Sequence, residues 1–139
     1  MSNKLIGVLI IAATLLSGCN NGEEINGRSV RSMYKSVVFI KNHLPADQRV
    51  EFEVAFWTLR NAIKDEDDLL DKVSGKTPEE LIELAKEVYQ ERKNAGAKEY
   101  AEFNTWEQMI AKFSQERIEQ NKRKKPDPRD QANNVLYKL

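Results

Sequence analysis

Apolar residues recur at intervals of three and four along most of the chain, the spacing that lines one face of an α-helix. Val30, Met33, Tyr34, Val37, Ile40 and Leu44 form the first such stripe. Ser29 stands where an N-cap is needed, its hydroxyl placed to accept a backbone N–H of the first turn. The stripe predicts a helix to His43, because Leu44 precedes Pro45 and the proline ring pushes it into extended backbone. Pro45 can then open the next helix at its first turn, where a missing N–H is tolerated. That helix carries Phe52, Ala55, Phe56, Leu59, Ala62 and Ile63, with Val50, Val54 and Trp57 widening its stripe. Asp65-Glu66-Asp67-Asp68 would oppose the dipole of a helix C-terminus and suits a helix start. A break near residues 64–67 and a short helix with Leu69, Leu70 and Val73 follow, closed by Gly75 in the left-handed conformation.

Thr77-Pro78-Glu79-Glu80 is the clearest local signal: a cap, a proline at the first helical position and the second half of a capping box. Leu81, Leu84, Ala85, Val88 and Tyr89 make the apolar face of the helix it opens. Asn94-Ala95-Gly96 interrupts, and Tyr100 and Phe103 are expected on a short helical piece. Thr105-Trp106-Glu107-Gln108 repeats the capping-box pattern before Trp106, Met109, Ile110 and Phe113 share a face. No long alternating run argues for strands. The fold class expected is all-α: a small bundle of about four helices over residues 29–120, followed by a basic, proline-interrupted tail over residues 121–139.

The N-terminus has a different pattern. One cation, Lys4, precedes twelve residues, 5–16, that are apolar except for Gly7 and Thr14. As a helix they would span about 18 Å, short of the roughly 30 Å core of a bilayer, which fits the apolar region of a signal peptide better than a permanent span. Leu16-Ser17-Gly18-Cys19 follows. This tetrad resembles the lipobox of bacterial lipoproteins. The resemblance implies cleavage between Gly18 and Cys19, a diacylglycerol on the Cys19 sulfur and usually an acyl group on its new amino terminus. Residues 1–18 are then a signal peptide and residues 19–28, polar and glycine-rich, a flexible lipidated tether. Asn20 stands where enteric lipoproteins retained at the inner membrane carry Asp, so the expected location is the outer membrane, facing the periplasm.

Charge and composition narrow the functions. The 139 residues carry 22 basic and 22 acidic side chains, a balance that gives no global reason for a nucleic-acid partner. A single Cys cannot form an internal disulfide, and a single His rules out a multi-histidine metal site. The charge is uneven, however: residues 116–139 hold seven basic and four acidic side chains.

A further resemblance lies in the helical part. Ser32, Ile40 and Leu44-Pro45, then Glu51-Phe52 with Ala55, then Gly75-Lys76-Thr77 with Glu80-Leu81-Ile82 and Ala85, are similar to a family of small bacterial lipoproteins known only as a domain of unknown function. It spans residues 32–92 and implies no catalytic residues.

Candidate chemistry is sparse. Gly75-Lys76-Thr77 lacks the second glycine of a phosphate loop, Leu70 standing in its place. Asp65, Asp67, Asp68 and Asp71 fail the calcium-loop spacing, since Leu70 falls at the sixth position and Lys76 at the twelfth. His43 suits a helix C-terminus. Among Phe56, Trp57, Tyr100, Phe103 and Trp106, which read mainly as core, Trp57 lies beside its stripe and is the best candidate for an exposed contact. Lys122, Arg123, Lys124 and Lys125 are a candidate contact for anionic lipid or cell-wall polymer. The expected function is a lipid-anchored, non-enzymatic cell-envelope protein whose helical domain binds another protein, with no cofactor beyond the lipid on Cys19. Two versions are an immunity or exclusion lipoprotein and an accessory subunit of an envelope machine. The alternative is an envelope-surface or cell-wall binding module using the basic tail.

Overall fold

A computed structural model describes residues 24–124. The expected signal peptide of residues 1–18, the expected lipidation site Cys19, and Lys125 with the rest of the expected tail lie outside the described residues. What is described is all-helical: α1 (Val30–His43), α2 (Ala46–Ala62), α3 (Glu66–Val73), α4 (Pro78–Asn94), a 3-10 turn (Lys98–Tyr100) and α5 (Trp106–Arg123). The small helical bundle is as expected, with five α-helices among the described residues, including the short one that the acidic run was expected to open.

The caps explain the boundaries. Ser29 Oγ accepts the Ser32 N–H and starts α1; Leu44 ends it with φ −67° and ψ 148°, the extended geometry imposed by Pro45. Pro45 opens α2 as its N-cap, one residue before the first turn where it was expected, because its own ψ of 148° is still extended. It has no side-chain acceptor to offer, and the Arg49 side chain instead reaches back, Nε donating to the Leu44 carbonyl at 2.8 Å. Asp65 caps α3 by accepting from the Asp67 and Asp68 amides. Thr77 and Glu80 form the full capping box of α4. At α5 only half of the expected box forms. Thr105 accepts from the Gln108 amide, but the Gln108 side chain accepts from Asn104, one residue earlier. Gly75 and Gly96 end α3 and α4 at φ +72° and +81°, backbone that glycine adopts without a Cβ clash. Phe103 lies beyond the 3-10 turn and not, as expected, on a helical piece with Tyr100.

The core follows the stripes. Met33, Phe52, Leu59, Leu69, Val73 and Leu81 are fully buried. α2 is the central element, packed against α1, α3, α4 and α5, with α4 along it in the most extensive pairing. α5 is fastened by its first turn. Trp106 is buried edge-on to Tyr89, ring centroids 5.7 Å apart, and its Nε1 donates to Glu51 on α2 at 2.8 Å.

The expected flexible tether over residues 19–28 is corrected at its C-terminal end. Ile25 is 1% exposed and belongs to the core. Its N–H donates to the Lys76 carbonyl at 3.0 Å and its carbonyl accepts the Gly75 N–H at 2.8 Å. The Asn26 N–H donates to Ser36 Oγ. Burial of one isoleucine contributes about 1.5–3 kcal/mol, and these three hydrogen bonds satisfy the backbone it brings inside.

Candidate functional site

Trp57 stands one position beyond Phe56 on α2, which rotates it about 100° off the buried stripe. Its side chain is left 45% exposed. The Arg60 guanidinium lies 4.8 Å from the centre of the indole and 5.4 Å from the centre of the Tyr34 ring. A cation shared between two aromatic faces holds the exposed indole in one place. Tyr34 is fixed in turn: its hydroxyl donates to Glu66, and its ring packs edge-on to Phe56. Burial, and then this hydrogen bond, raise the Tyr34 pKa above its ordinary value.

Two apolar grooves meet at Trp57. The larger, about 350 Å³, runs between α2 and α5, with Tyr100, Phe103 and Met109 at its base and Val54, Trp57 and Phe113 on its walls. Its rim is charged: Glu53 is paired with Arg117 at 2.9 Å, and Glu99 is paired with Arg92 outside the groove. The smaller groove, about 190 Å³, lies between α1 and α2 and is lined by Tyr34, Val38, Lys41, Glu53, Trp57 and Arg60. Val38, Trp57 and Phe113, each exposed, therefore form one apolar band across three helices. Aromatic side chains with rigid surroundings and a charged rim are the usual anchors of protein interfaces.

Thr58 is buried in the wall of the larger groove, yet no hydrogen bond among the described residues joins its hydroxyl to a base. Nor do the described residues contain a group of three His, Cys, Asp or Glu side chains placed to hold a metal ion. His43 caps α1: Nδ1 lies 2.8 Å from the Phe39 carbonyl, so this nitrogen is the donor, and the ring stacks on Phe39 with centroids 4.0 Å apart. The three amides of Gly75-Lys76-Thr77 are all engaged, by Ile25, Val73 and Glu80 respectively. None remains to cradle a phosphate.

Of the residues singled out in the sequence, Trp57 is at the centre of the exposed band. Phe56, Tyr100, Phe103 and Trp106 are buried, as core residues should be, though Tyr100 and Phe103 also form the groove base. Lys122, Arg123 and Lys124 are exposed at the end of α5, beyond Gln120, which lines the groove at its edge. The band's other members were not anticipated. Val37-Val38-Phe39-Ile40 places four apolar residues in succession, more than one helix face can bury, so its surplus had to appear outside. Comparison of the chain with family models, curated proteins and solved structures gives no match.

Proposed function

We propose that the protein is a lipid-anchored, non-enzymatic cell-envelope protein whose helical domain binds another protein through the Trp57 band. The reading of Leu16-Ser17-Gly18-Cys19 as a lipobox supports the anchor, and Asn20 supports residence at the outer membrane facing the periplasm. The observation that carries the binding role is Trp57 itself. It is exposed, clamped by Arg60, and sits where two apolar grooves join. The clamp contributes only about 0.5–1 kcal/mol to the monomer at an exposed site, whereas a binding site gains affinity from an anchor ordered in advance. The partner is an incoming toxin or phage component if the protein confers immunity or exclusion, and a subunit of an envelope machine if it is an accessory factor.

Two measurements test this. Palmitate labelling should be lost in Cys19→Ala, which should also accumulate unprocessed; equal label in both proteins defeats the anchor. Capture of a partner from envelope extract should fall at least tenfold in Trp57→Ala with the helical dichroism unchanged, since interface tryptophans commonly contribute about 2 kcal/mol or more. Undiminished capture would remove Trp57 from the site. A second reading is favoured by one observation: Lys122, Arg123 and Lys124 present three successive exposed cations at the end of α5. If removing residues 122–139 abolishes all association with envelope material, and no protein is ever captured, the cell-wall or lipid-surface module is the better account.

A further inference from the structure

We propose that the docked segment of residues 25–28 orients the domain on a lipid surface, holding the corner between α3 and α4 toward the bilayer and turning the Trp57 band away from it. The inference rests on acylation of Cys19. It follows from the greatest distance that the chain between Cys19 and Ile25 can span. Between Cys19 and Ile25 there are six residue steps, roughly 20 Å even fully extended. Had the chain been free as far as Ser29, ten steps would have reached roughly 35 Å. A folded body of about 100 residues has a radius of gyration near 13 Å, hence a diameter of about 34 Å if spherical. The longer leash would let such a body roll well past its equator; the shorter one reaches little more than its radius of about 17 Å, so it holds the attachment point in the lipid-facing half. The side carrying Ile25 must therefore stay near the lipid.

That side is identifiable. Ile25 is pinned by Gly75 and Lys76, and Gly27 passes so close to Ser74 that a Cβ on it would sit 1.7 Å from Ser74 Oγ. Asn26 bonds to Ser36 on α1. Tyr34 and Val38, which line the smaller groove beside Trp57, each stand two residues from Ser36, or about 200° around the helix. The docked segment and the groove thus occupy opposite faces of α1. The anchor draws one face to the lipid and leaves the other open to a partner approaching from the aqueous side.

Energy transfer tests the orientation in the mature acylated protein on vesicles of phosphatidylcholine and phosphatidylglycerol with an acceptor dye on the headgroups. A donor is attached at Lys72→Cys, in the last turn of α3 and exposed, or at Lys41→Cys, which lines the groove face. Transfer should be several-fold more efficient from position 72. In Gly27→Ala and Ile25→Ser, with helical dichroism checked for each, the two efficiencies should converge. Equal transfer in the parent protein, greater transfer from position 41, or an undiminished difference in a folded variant overturns the proposal. Mass spectrometry of the same sample separates the two failures. An unmodified Cys19 defeats the lipoprotein reading and this orientation with it, whereas acylated protein with equal transfer defeats the orientation alone.

Discussion

Gly27 has no room for a side chain. A Cβ there would lie 2.6 Å from Ser74 Cβ as well as 1.7 Å from its hydroxyl, so rotating the serine does not relieve the contact. Gly27→Ala should lower the urea-unfolding free energy of residues 24–124 by about 1–3 kcal/mol, the usual range for overpacking. Adding Ser74→Gly removes both offending atoms, and the double variant should recover most of the loss; a purely additive pair would show that the contact is not the cause. None of this was legible beforehand. Ile25 is a lone apolar residue among polar ones, and periodicity needs at least two members to speak. Trp57 was legible because its neighbours on α2 define a stripe from which it visibly departs.

Element boundaries are where residue chemistry is most local, and the sequence conveyed them accordingly. Ser29, Thr77 and Thr105 cap the helices they were expected to cap, because each acts on an amide only three residues away. Pro45 falls one residue before the first turn of α2 and Phe103 three residues past the 3-10 turn, where backbone torsions and tertiary packing decide. The join between α4 and the 3-10 turn depends on a charge pair. Arg92 donates to Glu99, and this hydrogen bond holds the Glu99 carboxyl below the ordinary carboxylate range. A depressed carboxyl contributes stability fully above its unfolded pKa and loses it as pH falls through the folded value. The wild-type advantage over Glu99→Gln should therefore be constant near neutrality and shrink once the pH drops below the ordinary glutamate range. Exposure and salt keep that advantage small. Urea midpoints measured from pH 7 to pH 3 check it; an advantage that grows in acid would refute the assignment.

At the scale of the whole molecule, burial and display are assigned to neighbouring residues of the same helices. Phe52 is fully buried, and Phe52→Ala should destabilise the domain by roughly 3–5 kcal/mol. Phe113→Ala should cost about 1 kcal/mol or less, because the ring is 38% exposed and leaves no sealed cavity. Chemical denaturation of the two variants makes the comparison, and similar losses would mean that the turn of α5 carrying Phe113 is as much part of the core as its first turn. The helical class and the buried stripes were readable from spacing alone. The grooves were not, since they arise where α5 crosses α2, and no spacing within one helix encodes the angle between two.

The way α5 is attached has one more consequence. Trp106 and Met109 are its only fully buried residues, both in the first turn, while residues 111–123 are exposed except for the half-covered Ser114. The part-exposed Arg117–Glu53 pair adds about 1 kcal/mol or less, and a helix of about a dozen residues is marginal in water, so the outer turns should unwind at a small free-energy cost while the first turn stays docked. Amide protons should exchange with solvent in that order, the end of α5 first and α2 last. The α2–α5 groove then has a lifetime as well as a shape, set by how long the outer turns remain wound. A ligand seated between Trp57 and Phe113 would close that fluctuation, and part of its affinity would be spent on ordering the wall it rests against.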